Sequence, residues 1–186
     1  MLSLIGRDSP AVLAGVVGAL ALTRVPLLFA TAIQAPLLPP MIRLIRSGDT
    51  DALWRLVGRI LVGFGALGFL AFLIGWFLGS AVLRVYLGGD YGARPATMAI
   101  LSSAGVALLA IVAVQAALVA VGSNVALAAS WGTGIAAFSI VTAFPVDGLL
   151  LAPLAVAVGS AVTLVALLIG LRSATRASVA IDPEHS

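Results

Sequence analysis

Cysteine is missing from all 186 residues. That excludes a disulfide framework, a thiol nucleophile and any thiolate metal site, and it leaves the redox compartment open. Lysine is missing too, since all ten basic residues are arginine. Charge of either sign is scarce: 9% of the chain, against about 25% in a soluble domain, cannot coat a globule in water. The one histidine, His185, follows Pro183 and Glu184 in the tail, too isolated to ligate a metal or act as a catalytic base. No Asp or Glu falls inside an apolar segment, so no carboxylate proton relay or sodium site is visible. There is no P-loop, no metal-ligand cluster and no serine beside a base. Asp49 and Asp51 are the only acidic pair near a segment end, and helix capping accounts for them. The chemistry-bearing residues therefore imply neither an enzyme nor a cofactor.

What the chain has is apolar length. Hydrophobic residues make up 62% of it, which places most of its surface against lipid. A spanning helix needs about 20 mostly apolar residues. Asp8-Ser9-Pro10 reads as a helix start, a capping side chain followed by proline where no N–H is needed. The first span covers about 10–38, with Pro36, Pro39 and Pro40 at its end. An interfacial turn of helix follows through Met41–Arg46. Equally apolar segments continue to Leu171, so this is the first of several spans and not a cleaved signal peptide. Gly48 suits a helix C-cap, and Asp49, Thr50 and Asp51 suit the N-terminus of the next helix. The second span, about 56–84, is uncharged between Arg59 and Arg84, and its Gly75 and Gly79 form a small-xxx-small pair that admits a close neighbour. Trp54 and Trp76 are candidate interfacial anchors.

From Pro95 to Val146 there is no charge, a stretch too long for one span and suited to two. Gly122-Ser123-Asn124 is the one good turn candidate, giving spans at about 96–121 and 125–145. Phe144–Gly148 makes the next turn and 148–171 the last span, leaving residues 173–186 as a polar tail expected to be disordered. The fold expected is all-α, a polytopic transmembrane bundle of about five spans in a single domain. Five spans put the 39–59 loop, the 122–124 turn and the C-terminus on one side. Arg43, Arg46, Arg55, Arg59, Arg172 and Arg176 lie on that side, and Arg7, Arg84 and Arg94 on the other. The bias puts the C-terminus in the cytoplasm and the N-terminus outside. Arginines clustered beside a membrane also account for the net charge of +3 without a nucleic-acid partner.

Arg24 is the residue with most to say about function. It sits near the centre of an apolar stretch about 42 Å long at 1.5 Å per residue, far from water at either end. Insertion scales put an arginine there at a cost of about 2.5–3.5 kcal/mol unless protein, water or a partner receives it. Thr31 nearly eclipses it along the helix, and Gln34 lies on the same side, so the three form a polar stripe. Two readings fit. The stripe lines a cavity in which the guanidinium clamps a phosphate through paired N–H donors, or a neighbouring helix carbonyl satisfies a shallower arginine. Gln115, Ser130, Thr133, Ser139, Ser160 and Thr163 are better read as links between helices than as a transport route.

Leu22-Thr23-Arg24-Val25-Pro26-Leu27-Leu28, then Ile33-Gln34-Ala35-Pro36-Leu37-Leu38-Pro39, then Gly48-Asp49 before an arginine-bearing helix, together make a recognisable pattern. It resembles the C-terminal half of polysaccharide flippases of the multidrug/oligosaccharidyl-lipid/polysaccharide superfamily. Leu87-Gly88-Gly89-Asp90-Tyr91 resembles the short turn of that family after the following helix, and Trp131-Gly132 fits the pattern. The resemblance covers about residues 9–172. It implies part of one lobe of a two-lobed transporter that moves a polyprenyl-diphosphate-linked oligosaccharide across the bacterial cytoplasmic membrane for polysaccharide biosynthesis. Arg24, with Thr31 and Gln34, would then line the cavity and meet the diphosphate. The family has 12 or more spans, so a missing N-terminal lobe, as further sequence or a partner chain, is expected. A non-transporting structural subunit of a larger membrane complex is the alternative.

Overall fold

A computed structural model describes residues 30–87, 94–144 and 148–181, with side chains for 36–85, 94–144 and 150–176. Five helices account for nearly all of them: α1 (Ala30–Arg46), α2 (Thr50–Leu87), α3 (Pro95–Val121), α4 (Asn124–Ala143) and α5 (Gly148–Ile181). No strand occurs among the described residues. Four helices contain segments long and apolar enough to cross a bilayer: Thr50–Val85, Pro95–Val121, Asn124–Ala143 and Leu150–Arg176. The protein is thus an all-α, multi-pass membrane bundle. Of the first expected span only its last part is described, and residues 30–38 are helical there.

Local chemistry sets the helix ends. Pro36, Pro39 and Pro40 lie inside α1. Each lacks an N–H and so removes one rung of the helical ladder. α1 then stops at Gly48, whose φ of 69° is the left-handed conformation glycine adopts without a Cβ penalty. There the Ser47 N–H donates to the Arg43 carbonyl at 3.0 Å and the Gly48 N–H to that of Ile45 at 3.1 Å. Asp49 Oδ1 accepts from the Ala52 N–H at 2.8 Å and so caps α2. α2 therefore begins at Thr50, with Arg55 and Arg59 inside it. Its 38 residues reach about 57 Å, well beyond a hydrocarbon core of about 30 Å.

Pro95 occupies the first turn of α3, where no N–H is required. The charge-free run breaks at Gly122, with φ 79°, and Ser123 donates to the Leu118 carbonyl at 3.1 Å. α4 leaves α3 at this turn and packs along α5 instead. At the other end of the chain α5 continues to Ile181. The expected disorder from residue 173 onward is therefore corrected through 181. Buried Thr175 donates to the Leu171 carbonyl at 3.0 Å, and alanines at 174, 177 and 180 favour the helix.

α3 is the central helix. It packs against α1, α2 and α5, while α4 touches chiefly α5. Alanine explains the position: Ala99, Ala104, Ala110, Ala113, Ala116 and Ala117 are all buried and let three neighbours approach one axis. α2 and α4 bury few of the apolar side chains of their spans, which suits helices whose solvent is lipid.

Glycine makes the closest approaches. A Cβ on Gly75 would lie 2.7 Å from the Met98 carbonyl oxygen, and one on Gly79 2.5 Å from Met98 Cβ, so the small pair in α2 marks its crossing with α3. A second crossing joins α4 to α5, where a Cβ on Gly134 would overlap Thr163 Oγ1 and one on Gly159 would lie 3.2 Å from the Gly134 carbonyl oxygen.

Candidate functional site

Arg24 lies outside the described residues. Thr31 and Gln34 fall in α1, three residues and so nearly one turn apart, with only their backbone described. Of the intramembrane hydroxyls, Thr163 and Ser130 stand at the α4–α5 contact, against Gly134 and Gly170, as expected of residues that link helices, but their hydrogen bonds stay local. Ser130, Thr133, Ser139 and Thr163 donate to carbonyls of their own helix three or four residues back, at 2.7–2.9 Å. Such back-bonding satisfies a hydroxyl in a low dielectric without any partner helix. No buried side-chain nitrogen or oxygen among the described residues lacks a hydrogen-bond partner.

Six of the eight described cations gather at one end of the bundle. A buried cluster of Met41 (α1), Leu53 and Val57 (α2), Leu118 (α3), and Leu167 and Leu171 (α5) ties four helix ends together. Those ends carry Arg43, Arg46, Arg55, Arg59, Arg172 and Arg176, all exposed. Arg84 and Arg94 occupy the opposite end. Along α2 the step from Arg59 to Arg84 is about 37 Å, so the two charges bracket a hydrocarbon layer.

Two sets of depressions open among these arginines. Between α1 and α2 a groove of about 400 Å³ is lined by Arg43, Arg55 and Arg59 with Pro40, Leu44 and Leu56. It meets, at Arg59, an apolar trough of about 480 Å³ along Pro36, Leu37, Ile60, Gly63, Phe64 and Leu67. No Asp or Glu of the described residues lines either. Three guanidiniums lining one groove with no carboxylate among its described lining favour a polyanion. Arginine's planar fork matches phosphate oxygens in pairs.

The second set lies on the other flank of α2, where Trp54 faces Arg172 and Arg176 of α5. This juxtaposition is not apparent from a reading of separate segments, because more than a hundred positions divide its halves. The available signal was the spacing on α5, where Arg172 and Arg176 continue the same helical face as Val165 and Ile169. Among the described residues no group of His, Cys, Asp and Glu is placed to hold a metal. No protein-family model, curated protein or solved structure matches the chain.

Proposed function

We propose that this chain belongs to a transporter that carries a polyprenyl-diphosphate-linked oligosaccharide across the bacterial cytoplasmic membrane, as part of one lobe of a polysaccharide flippase of the multidrug/oligosaccharidyl-lipid/polysaccharide superfamily. The observation that carries the reading is Arg24, a cation in the middle of an apolar segment, where burial is tolerable only beside water, protein or an anion. Thr31 and Gln34, both in α1, continue its polar stripe by their helical spacing. The groove between α1 and α2 adds support, because its three guanidiniums adjoin an apolar trough. That is the division of surface a charged headgroup on a long hydrocarbon tail calls for. In this reading the arginine-rich end and the C-terminus are cytoplasmic and the N-terminus is outside. A second helical lobe, in the same polypeptide or another, completes the cavity.

Arg24 replacement in the assembled transporter is the test. Arg24→Ala abolishes export while membrane insertion and protein level stay unchanged. Arg24→Lys restores export only in part, since an ammonium keeps the charge and loses the planar fork. Normal export by the alanine variant overturns the proposal.

A further inference from the structure

Val165, Ile169, Arg172 and Arg176 recur every three or four residues along α5, with Leu168 and Thr175 at the edge of the same stripe, so all six share one side of the helix. The stripe changes character along its length. Val165 and Ile169 are apolar and well exposed, at 56% and 65%, and the cations stand one and two turns beyond them. Trp54, on the second turn of α2, marks the change. One depression, about 430 Å³, is lined by Trp54, Val165, Leu168, Ile169 and Arg172. The next, about 280 Å³, is lined by Thr50, Trp54, Arg172, Thr175 and Arg176. Trp54 and Arg172 belong to both, so the two make one continuous cleft, apolar toward the bilayer centre and cationic at its end. No carboxylate of the described residues lines either part.

We infer that the seam between α2 and α5 binds one anionic phospholipid, with its phosphate between Arg172 and Arg176 and one acyl chain along Val165, Leu168 and Ile169. Three features select this occupant. The cleft sits at the arginine-rich end of a membrane bundle, the depth at which headgroups lie. A tryptophan at the polar–apolar boundary suits the glycerol level, since indole prefers that layer. Two cations, with no acid among the described lining residues, favour a net negative headgroup over a zwitterionic one, whose own ammonium repels them; basic pockets between membrane helices hold anionic headgroups on the same principle. The inference stands independently of transport.

The test uses Trp54 as its own reporter, in the full chain carrying Trp76→Phe and Trp131→Phe, reconstituted in phosphatidylcholine vesicles. Lipids brominated on the acyl chain quench a neighbouring indole. Brominated phosphatidylglycerol is expected to quench Trp54 more strongly than brominated phosphatidylcholine at equal mole fraction. Arg172→Gln with Arg176→Gln should lower the relative association constant about fivefold per arginine, roughly thirtyfold for the pair. Arg84→Gln, at the opposite end, and the double lysine variant should keep the preference. Equal quenching by the two lipids, a preference for phosphatidylcholine, or a preference that survives the double glutamine variant overturns the inference. So does loss of preference in the lysine variant, because charge alone would then not carry the selection that the inference assigns to it. Inorganic phosphate that abolishes the preference, where chloride of equal ionic strength does not, assigns the arginines to a free anion and overturns the lipid assignment.

Discussion

Two glycines of α2 separate packing from helix propensity within one element. A Cβ on Gly65 would meet nothing within 4 Å among the described residues, whereas one on Gly75 would stand 2.7 Å from the Met98 carbonyl oxygen, 2.7 Å from Ser102 Oγ and 2.9 Å from Ala99 Cα. Ordinary carbon contacts fall at about 3.5–4.0 Å, so the added methyl intrudes by most of an ångström. Ser102 can rotate away, but a carbonyl and a Cα move only if the helices part. Both substitutions gain the same helix propensity, up to about 1 kcal/mol for glycine to alanine. That gain cancels in the difference, which leaves the overpacking cost of about 1–3 kcal/mol. Gly75→Ala should therefore be less stable than Gly65→Ala by that amount. Reversible unfolding of the full chain in mixed micelles, titrated with an ionic detergent and followed by helical circular dichroism, measures it. Equal midpoints for the two variants would refute the reasoning, because the α2–α3 crossing would then not depend on the absence of a side chain at Gly75.

At the second crossing, Gly134→Ala should destabilise the α4–α5 pair, and Thr163→Ala in the same chain should recover part of the loss, giving a coupling of about 0.5–3 kcal/mol in a double-mutant cycle; strict additivity would refute it. Asp49→Ala removes the acceptor for the Ala52 N–H and should cost about 1 kcal/mol in the same unfolding assay. Gly122→Ala places a Cβ in the left-handed region and should cost about 1–2 kcal/mol, more than Gly132→Ala, whose added methyl meets nothing among the described residues. Because the chain has no cysteine, Ser47→Cys, Ser123→Cys and Ser173→Cys report topology directly. All three should react with an impermeant maleimide from one side of the membrane, the cytoplasmic side under the proposed orientation, and labelling from opposite sides would refute the shared end. Arg55→Gln with Arg59→Gln should weaken binding of a polyprenyl diphosphate by about tenfold or more, read by equilibrium binding to the purified protein, if the α1–α2 groove receives a charged headgroup.

Helix ends were legible wherever a particular side chain or glycine dictates them. Gly48 and Asp49 terminate and start helices through their own backbone conformation and carboxylate, and Gly122 breaks a charge-free run that no other residue interrupts. The small pair Gly75 and Gly79 was legible as a contact, although not which helix it meets. The continuation of α5 past Arg172 was missed because a polar, charged composition reads as solvated chain. Its alanines and the inward-facing Thr175 keep the helix going beside the end of the bundle, where Thr175 is buried. For Ser130 and Thr163 the packing between helices was legible but the hydrogen-bond partner was not: the carbonyls they donate to lie on their own helix, a choice that residue type alone does not reveal. Of the candidate site, Thr31 and Gln34 are on a helix, while Arg24 stays a proposal carried by its cost in hydrocarbon.

The sequence by itself determined that this protein is helical, lies in a membrane and carries its cations in bands. Each of those properties follows from the amount of apolar chain and the scarcity of charge, whatever the helices do to one another. Only the tertiary structure decided that α3 lies at the centre, that α4 turns from it to α5, and that Trp54 lines one cleft with Arg172 and Arg176. An all-apolar helix has no polar face to announce its inner side, so the choice of neighbours falls to shape: glycines and alanines admit a backbone where larger side chains would hold it off.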